Sequence, residues 1–396
     1  MNQREIFLKH VAQTSPAPLA IEIEKAEGVY LWDAKGKQYI DLIGGISVAN
    51  IGHRHPAVID AIHQQLEKYL HVMVYGEFIQ SPQTKYAQLL TSHLPANLNC
   101  VYFTNSGAEA VEGAMKLAKK YTDRSEIIAF KNSYHGSTQG ALSIIGSEYF
   151  RNAFRPLLPD VSHLKFNDFD VISQVTEKTA CIILETVQAE AGIIKPSVEW
   201  LHAIREKCTQ TGTLMILDEI QTGFGRTGTL WGFENYGVIP DILLLGKALG
   251  GGMPLGVFIS DFNIMNAFTG APVLGHITTF GGHPVSCAAG LAAMQVLLDE
   301  KLVEDITTKE KIFQSRLHHP VIKNISSAGL WLSVQFDSFE TNKKIIDHCI
   351  ENGLLTDWFL FAADSMRISP PLNISAEEIN TACDIILDAV EQSAAF

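Results

Sequence analysis

The chain has 396 residues, 46% of them hydrophobic, enough for a large core and two or three domains. Its formal net charge is -13 and it contains no basic block, so nucleic acid and anionic membranes are poor partners and a small molecule is favoured. Residues 1–20 lack a continuous apolar stretch, and no run reaches the roughly 18 apolar residues of a membrane span, so secretion and membrane insertion are not expected. The six cysteines are scattered without a C-x-x-C pair, which is typical of a reducing, cytoplasmic compartment.

The first predicted elements are the two strands of a hairpin. Residues 29–33 and 38–42 alternate in the manner of strands around a short turn. Gly44-Gly45-Ile46 then interrupts regular structure. Helical patterns follow, one from Pro56 to about residue 69 and one after Pro82. The early chain therefore mixes strands and helices, and it shows no repeats.

A possible anion site comes next. A strand over 100–103 is followed by a glycine turn and a helix over 108–118, and Ser106 and Glu109 have the spacing of a capping box. The first N–H groups of a helix lack partners and its dipole is positive there, so a phosphate would fit. A plain helix cap is the alternative.

Tyr134 and His135 follow a short strand over 127–130 and therefore lie on a loop at its carboxyl end. An aromatic side chain in this position can stack on a flat ring. The alternative is a tyrosine that merely covers the loop.

Two further apolar strands deliver acids to their ends. Residues 180–184 precede Glu185 and Glu190, and residues 213–217 precede Asp218. An ionised carboxylate at the end of so apolar a strand needs a partner. A protonated pyridine nitrogen would serve Asp218 and would become an electron sink in return. A structural aspartate paired with an arginine or a helix N-terminus is the alternative.

Lys247 follows another apolar run, 242–245, that reads as a central strand of a parallel sheet. Open α/β sheets bind ligands at this edge, and a partly desolvated lysine loses some of its preference for the charged form. The glycines at 246 and 250–252 let backbone approach a bulky ligand. Schiff-base formation with an aldehyde is the chemistry that this arrangement suits, unless Lys247 only lies in a glycine-rich turn.

Residues 223–228 match the dinucleotide pattern G-x-G-x-x-G. Asp218 and Glu219 stand where a pyrophosphate would lie, and residues 229–233 are not expected to open a helix. Nicotinamide binding is therefore disfavoured.

The sequence pattern of the C-terminal part predicts a small α/β unit. A helical pattern runs from Pro284 to about residue 300 and resumes to 317, followed by a strand over 329–336 and a helix over 341–351. Arg367 lies on a short strand, and residues 375–378 form a capping box for a last helix.

Together these stretches resemble the class III aminotransferases that use pyridoxal phosphate, and most of all the acetylornithine and ornithine aminotransferase subgroup. The resemblance rests on motifs in the family's order: Ser106-Gly-Ala-Glu109, Tyr134-His-Gly136, Glu185-x-x-Gln188-x-Glu190, Asp218-Glu-Ile-Gln221, Gly246-Lys247-Ala-Leu-x-Gly-Gly, Thr279-Phe-Gly-Gly282 and Arg367-x-x-Pro-Pro371. It implies an α/β protein of fold type I with a mostly parallel seven-stranded sheet. The implied parts are residues 1–45, which join the small domain, a large domain over 46–289 and a small domain over 290–396. It also implies a homodimer with sites at the subunit boundary.

The resemblance also implies residue roles. Lys247 would be the catalytic lysine that holds the cofactor and carries protons, and Asp218 the partner of the pyridine nitrogen. Gln221 would lie near the ring hydroxyl, and Tyr134 would stack on the ring. The other expected cofactor contacts are Ser106, Gly107, Ala108, His135, Glu185 and, reaching the phosphate from the other subunit, Thr279. No metal is expected.

On the substrate side, Arg367 would bind the α-carboxylate of a 2-oxo acid, and Glu190 would neutralise it when the reacting carbon bears no carboxylate. Ile46 and Ser137 are the other expected substrate contacts. The reaction implied is ping-pong transfer of a terminal amine, from an ornithine-like, acetylornithine, diamine or ω-amino acid donor, to a 2-oxo acid. An aminomutase or decarboxylase of the same fold is the alternative.

Two departures from the subgroup bear on the substrate. Ser137 stands where the subgroup usually has an arginine that helps bind the distal carboxylate of 2-oxoglutarate, so pyruvate or a semialdehyde becomes an alternative acceptor unless a residue such as Arg151 reaches in. The apolar segment 356–361 is also unusual and is expected to narrow a pocket.

Overall fold

The computed structural model of the chain describes residues 2–394. The strands are β1 (Ile23–Glu27), β2 (Tyr30–Asp33), β3 (Gln38–Asp41), β4 (Cys100–Thr104), β5 (Glu126–Phe130), β6 (Val161–Leu164), β7 (Thr179–Glu185), β8 (Leu214–Asp218), β9 (Ile242–Leu245), β10 (Gly256–Ser260), β11 (Asn324–Ser327), β12 (Leu332–Gln335), β13 (Leu354–Leu355), β14 (Trp358–Phe359) and β15 (Ala362–Ile368). The α-helices are α1 (Gln3–His10), α2 (Gly44–Ser47), α3 (Pro56–Leu66), α4 (Ser81–Ser92), α5 (Gly107–Thr122), α6 (Gln139–Ser143), α7 (Glu148–Arg151), α8 (Val171–Gln174), α9 (Val198–Thr211), α10 (Phe262–Met265), α11 (Pro284–Asp299), α12 (Ile306–Arg316), α13 (Phe339–Glu351) and α14 (Ala376–Ala394). None of these helices combines the length and the apolar run that crossing a bilayer requires.

A seven-stranded sheet forms the centre of the molecule, in the order β4-β10-β9-β8-β7-β5-β6. Only β10 runs antiparallel to its neighbours, which confirms the expected mostly parallel sheet. Strands β7, β8 and β9 are buried along their whole length. Successive side chains of β8 enter different core clusters: Ile216 packs with residues of α5, and Met215 and Leu217 pack with the cluster around Trp200 of α9. Helices thus cover both faces of the sheet, which explains the unbroken apolar runs in the sequence.

The topology brings the predicted site residues to one edge of this sheet. Glu185 and Asp218, the last residues of β7 and β8, are direct partners in the parallel register. Lys247 follows the adjacent strand β9. Because the carboxyl ends of parallel strands share an edge, these three residues come together although they are far apart in sequence.

Two smaller sheets lie outside the central one. Strands β1, β2 and β3 form an antiparallel meander that continues, through a parallel pairing of β3, to β13 from the C-terminal part. The other small sheet has the order β11-β12-β15-β14 and carries Arg367 on β15. The pairing of β3 with β13 joins the two ends of the chain. The domain boundaries at 45 and 289 stay a prediction.

Most local predictions are confirmed, including the hairpin β2–β3 and the helices after Pro82 and Pro284. The helix after Pro56 ends at Leu66 rather than near residue 69, because the chain turns where Lys68 N donates to Gln65 O. The Ser375–Glu378 capping box is complete, with both reciprocal hydrogen bonds.

Two local predictions need correction. At the start of α5, Ser106 Oγ accepts from Glu109 N as expected, but the Glu109 carboxylate accepts from Asn105 N rather than from Ser106 N. A short 3₁₀ helix begins at Gly232, where no helix start was expected. The cause is a buried carboxylate, since Glu219 accepts the N–H groups of Gly232 and Phe233.

Candidate active site

A cavity of about 320 Å³ opens at the carboxyl edge of the central sheet. Most of the residues singled out in the sequence line it. The lining residues are Gly107, Ala108, Tyr134, His135, Gly136, Ser137, Glu185, Val187, Asp218, Ile220, Gln221, Thr222 and Lys247.

Lys247 enters this cavity from the turn after β9, with a backbone φ of 50°. That left-handed conformation is uncommon for a residue with a side chain and tends to occur at functional sites. Burial lowers the pKa of Lys247 below the ordinary lysine value, although Asp218 and Glu190 oppose the shift. The neutral, nucleophilic form of the amine is therefore more accessible than in a surface lysine.

The Asp218 carboxylate is buried and held on both oxygens. Oδ1 accepts from Ile220 N at 3.0 Å, and Oδ2 lies 2.7 Å from His135 Nδ1. Since an ionised carboxylate can only accept, His135 donates from Nδ1. His135 Nε2 is buried without a partner in the described part of the chain. In this arrangement His135 contacts Asp218 and fixes its orientation toward the cavity.

Glu185 links the Tyr134 loop to β7. Its two carboxylate oxygens accept from Tyr134 N at 3.0 Å and Ala189 N at 2.9 Å. Burial, and then the charge of Asp218, raise the pKa of Glu185 well above its usual range. The neutral acid is thus favoured beside Asp218, which avoids placing two like charges at neighbouring strand ends.

The start of α5 forms one wall of the cavity. Ser106 Oγ is engaged in capping the helix, and this residue lies beside the cavity rather than in its lining. A Cβ at Gly107 would lie 2.7 Å from Ile220 Cδ1, so a side chain would not fit there without displacing Ile220. The free N–H groups at the start of this 16-residue helix create a site for an anion next to Lys247.

Glu190 and Arg367 form a buried, two-pronged ion pair. Arg367 Nη1 and Nη2 donate to the two Glu190 oxygens at 3.0 and 2.9 Å, and both side chains are almost fully buried. Burial alone would raise the pKa of Glu190, but the neighbouring guanidinium lowers it below its usual value. Gln221 Nε2 also donates to Glu190, at 3.3 Å, and so connects the pair to the cavity.

No arginine is among the residues that line the cavity in the described chain, and Lys247 is the one lysine in its lining. At the position where the aminotransferase subgroup that the sequence resembles usually has an arginine, Ser137 Oγ lies 3.2 Å from Tyr134 OH. Arg151, the other candidate, is engaged with Glu148 and His163.

Ile46 and Thr279 lie away from the cavity lining. Ile46 has φ 63° and ψ 61° within a left-handed turn. That turn is tied to the end of β15, since Ser369 N donates to Leu42 O at 2.7 Å. Thr279 is exposed in the segment between α10 and α11.

The sequence did not single out every residue of this region. Val187, Ile220 and Thr222 line the cavity, and they could have been found as members of the Glu185 and Asp218 motifs. Asp357 was missed as a contact, although it accepts from Arg367 Nε at 2.8 Å. Its signal was an acid within an otherwise apolar segment. Among residues 2–394, no cluster of three or more potential metal ligands occurs.

The similarities to known proteins agree with this geometry. The family described as aminotransferase class-III matches residues 11–390. The acetylornithine aminotransferase of Methanopyrus kandleri is 37% identical over 99% of this chain and 100% of its own length. A [LysW]-aminoadipate semialdehyde/glutamate semialdehyde transaminase of Sulfolobus acidocaldarius is 35% identical over 93% of this chain and 95% of its own. Among solved structures, the ornithine aminotransferase of Toxoplasma gondii, described with partial occupancy of PLP at its active site, has a TM-score of 0.91 and 30% identity, with 99% of this chain and 94% of that one covered.

Proposed function

The chain belongs to the class-III aminotransferases, transaminases of fold type I that use pyridoxal phosphate, and we propose that it takes a terminal amine from an ornithine-like, acetylornithine, diamine or ω-amino acid donor. The acceptor is a 2-oxo acid, and the two half-reactions alternate in the ping-pong manner general for the family. We further propose that 2-oxoglutarate is a weaker acceptor here than in relatives that carry an arginine at position 137.

The cavity fits the cofactor in several respects. It offers a lysine with a lowered pKa, an oriented carboxylate and a helix N-terminus within one enclosure. The amide oxygen of Gln221 is buried without a hydrogen-bond partner in the described chain, which suits a ring hydroxyl as donor. When bound, pyridoxal phosphate supplies an aldehyde and an electron-withdrawing ring.

The residues that would hold the cofactor have separate tasks in this proposal. Lys247 would hold it covalently and move the substrate proton, while Asp218, oriented by His135, would keep the ring nitrogen protonated. Tyr134 would pack on the ring, and Gly107 and Ala108 would offer backbone N–H groups to the phosphate. Ser106 supports that turn as the helix cap, and Glu185 holds the Tyr134 loop in place.

The observation that carries the substrate proposal is the closed Glu190–Arg367 pair. Arg367 can bind one carboxylate through its planar fork. With Glu190 in place, that fork is neutralised, so a donor whose reacting carbon bears no carboxylate meets no unpaired cation. When a 2-oxo acid enters, its carboxylate takes the position of the Glu190 carboxylate. The Ile46 turn, tied to the end of the strand that carries Arg367, forms the adjacent substrate wall in this proposal.

Ser137 limits the acceptor. A distal carboxylate would find one neutral hydroxyl at this position, and Arg151 is already engaged by Glu148 and His163. An unpaired buried carboxylate costs about 2–5 kcal/mol. Pyruvate, which carries no distal carboxylate, avoids that cost.

The test is kcat/KM for 2-oxoglutarate and pyruvate with a panel of ω-amines, in the wild type and in Ser137→Arg. We expect the added arginine to raise kcat/KM for 2-oxoglutarate by about 30-fold or more and to change that for pyruvate little. Ser137→Met, which has length without charge, is the matched control. A wild type that strongly prefers 2-oxoglutarate and gains nothing from the arginine would contradict the acceptor proposal.

We also propose a homodimer in which Thr279 reaches the phosphate site of the other subunit. Support comes from an exposed apolar surface on the loops 70–79 and 273–280, where Ile79 is 94% and Val273 73% exposed. The two loops are adjacent, since the rings of His71 and Phe280 lie 4.8 Å apart. Thr279 belongs to this surface and faces solvent in the single chain.

Mixed dimers test the shared site. Lys247→Ala and Thr279→Ala chains should each be inactive or weak as homodimers, but a mixture should recover activity because one composite site per heterodimer is intact. The absence of recovery would mean that both residues act within one subunit.

Finally, the six unpaired cysteines support a reducing, cytoplasmic location, which fractionation of the source cells would check.

A further inference from the structure

Arg367 is held on three sides by the short segment Asp357–Phe359. Its Nε donates to Asp357 Oδ1 at 2.8 Å, and its Nη2 lies 3.4 Å from Trp358 O. The guanidinium carbon lies 4.6 Å from the centre of the Phe359 ring, within cation–π range. The backbone is fixed as well, because Arg367 N donates to Asp357 O at 2.9 Å.

These contacts leave one edge of the guanidinium for exchange. Nη1 and Nη2 point together at the Glu190 carboxylate. Apart from Arg367, the Glu190 carboxylate accepts only from Leu360 N at 3.1 Å and Gln221 Nε2 at 3.3 Å within the described chain. If the pair opens by movement of Glu190, that carboxylate gives up only two ordinary hydrogen bonds besides its contacts with Arg367, whereas movement of Arg367 would break all three of its contacts with the Asp357–Phe359 segment. Glu190 is therefore the partner that moves, and Arg367 is the one that stays.

We propose that Asp357 is a positioning residue for the 2-oxo acid carboxylate: it fixes the plane of Arg367 through Nε, so that the Nη1–Nη2 edge stays aimed at the place that Glu190 vacates. This inference rests on the proposed function of Arg367. Two-pronged binding demands that both N–H groups lie in the plane of the carboxylate, so a guanidinium free to rotate would lose one of its two hydrogen bonds. Asp357 touches no reacting atom and acts through the arginine.

The surroundings of Asp357 favour a geometric role over an electrostatic one. Its side chain is 27% exposed, so water screens its charge more than that of Glu190, which is 4% exposed. Burial raises the pKa of Asp357 although Arg367 opposes the shift, and the like charge of Glu190 raises it further. An uncharged side chain with an oxygen at the same place should therefore replace it well.

The experiment compares Asp357→Ala, which removes the acceptor for Nε, with Asp357→Asn, which keeps an oxygen and loses the charge. For each holoenzyme we would measure kcat and KM for the 2-oxo acid and for the amine donor, and the dissociation constant of propionate by calorimetry. Propionate is an unreactive carboxylate that needs Arg367 but no chemistry. Asp364→Ala is the matched control, since Asp364 lies on β15, the strand that carries Arg367, and accepts from Gln335 rather than from a cation.

We expect Asp357→Ala to raise the 2-oxo acid KM and the propionate dissociation constant by about 10-fold, the loss of roughly one charge-assisted hydrogen bond. The donor KM should change less than about twofold, because Glu190 shields Arg367 during that half-reaction. Asp357→Asn should stay within about threefold of the wild type, and Asp364→Ala should match it. If Asp357→Ala did not fold, Asp357→Ser, which is too short to reach Nε, would take its place.

Several results would overturn the assignment. Equal losses in the alanine and asparagine variants would mean that charge, not geometry, matters. Equal changes in donor and acceptor KM would mean a structural role only, and no change in Asp357→Ala would mean no role. Arg367→Lys distinguishes failure of the proposed function of Arg367 from failure of the proposed role of Asp357. If this variant still bound propionate with wild-type affinity, both proposals would fail. If Arg367→Lys weakened binding and Asp357→Ala did not, only the role of Asp357 would fail.

Discussion

Glu190 and Glu219 are both buried glutamates, but they are held by different kinds of partner. Glu190 lies against the Arg367 guanidinium, with its two oxygens on two N–H groups. Glu219 is fully buried and accepts from Thr186 Oγ1 and from the backbone N–H groups of Gly232 and Phe233. A full charge neutralises the first glutamate, and only dipoles solvate the second.

The pKa values follow this difference in opposite directions. Arg367 lowers the pKa of Glu190 below its usual value, whereas burial raises the pKa of Glu219 to about 7 despite three hydrogen bonds. Two buried arginines differ in the same way. Arg226 is fully buried and donates only to uncharged acceptors, the carbonyls of Leu330 and Pro370 and the Asn50 side chain, and burial lowers its pKa to about 9. For Arg367, burial acts in the same direction, but the charges of Glu190 and Asp357 raise its pKa above the ordinary arginine value.

Glu190, which is paired with a charged side chain, can be exchanged for another carboxylate, whereas Glu219, which is held by backbone N–H groups and a hydroxyl, cannot. A substrate carboxylate can replace Glu190 because it brings the same charge and the same two acceptors. The N–H groups around Glu219 belong to the backbone of the 3₁₀ helix at Gly232–Tyr236, so replacing that glutamate means rebuilding the turn. The first arrangement suits a specificity gate, and the second suits the scaffold behind it.

The largest expected effect comes from breaking the exchangeable pair. In Glu190→Gln the side chain keeps its shape but no longer competes for Arg367, so donors with a carboxylate on the reacting carbon should gain over ω-amines. We expect the ratio of kcat/KM for glutamate to that for an ω-amine donor to rise by about 100-fold. Steady-state kinetics of both donors would measure this. An unchanged ratio would show that Glu190 does not gate the site, and Glu219→Gln should leave the ratio as it is.

A smaller effect is expected at the dipole-held glutamate, and it concerns stability rather than specificity. The pKa of Glu219 rises from 4.5 to about 7 on burial, so the folded chain binds this proton more tightly than the unfolded chain. The stability that the protonated form contributes is complete below about pH 4.5 and is lost as the pH rises through 7.

Because the pKa of Glu219 is higher in the folded chain, the free energy of unfolding of the wild type should fall by about 1 kcal/mol between pH 6 and pH 8 relative to that of Glu219→Gln, which has no proton to release. Urea unfolding of both proteins at the two pH values gives the difference. Glu190→Gln is the matched control, since Glu190 has a lowered pKa and stays ionised across this range. A wild type and Glu219→Gln with the same pH dependence would contradict the assigned direction.

The sequence was sufficient to predict the positions of Lys247, Asp218 and Glu185 at strand ends. The apolar runs before them are local signals, and the parallel arrangement puts the ends of such runs at one edge of the sheet. The turn and helix start at 106–108 are local as well, because the cap and the glycine lie next to each other in the chain. The chemical roles that these residues play stay predictions until the substitutions are made.

Other features depend on contacts that no local pattern encodes. Asp357 is ten residues before Arg367, and whether the two meet depends on the short pairing of β14 with β15. Arg226, within the glycine motif that resembles a dinucleotide site, contacts residues from both ends of the chain. The left-handed turn at Ile46 is held by Ser369, more than 300 residues away.

By itself the sequence determined the fold class, the family and the placing of Glu185, Asp218 and Lys247 at strand ends, because hydrophobic periodicity and short motifs act over a few residues. Only the tertiary structure decided which buried charges face another charge and which face dipoles. That choice depends on the chain segments that packing brings within about 3 Å of each group: the partner found there sets the sign of the buried electrostatic interaction, and the distance sets its strength.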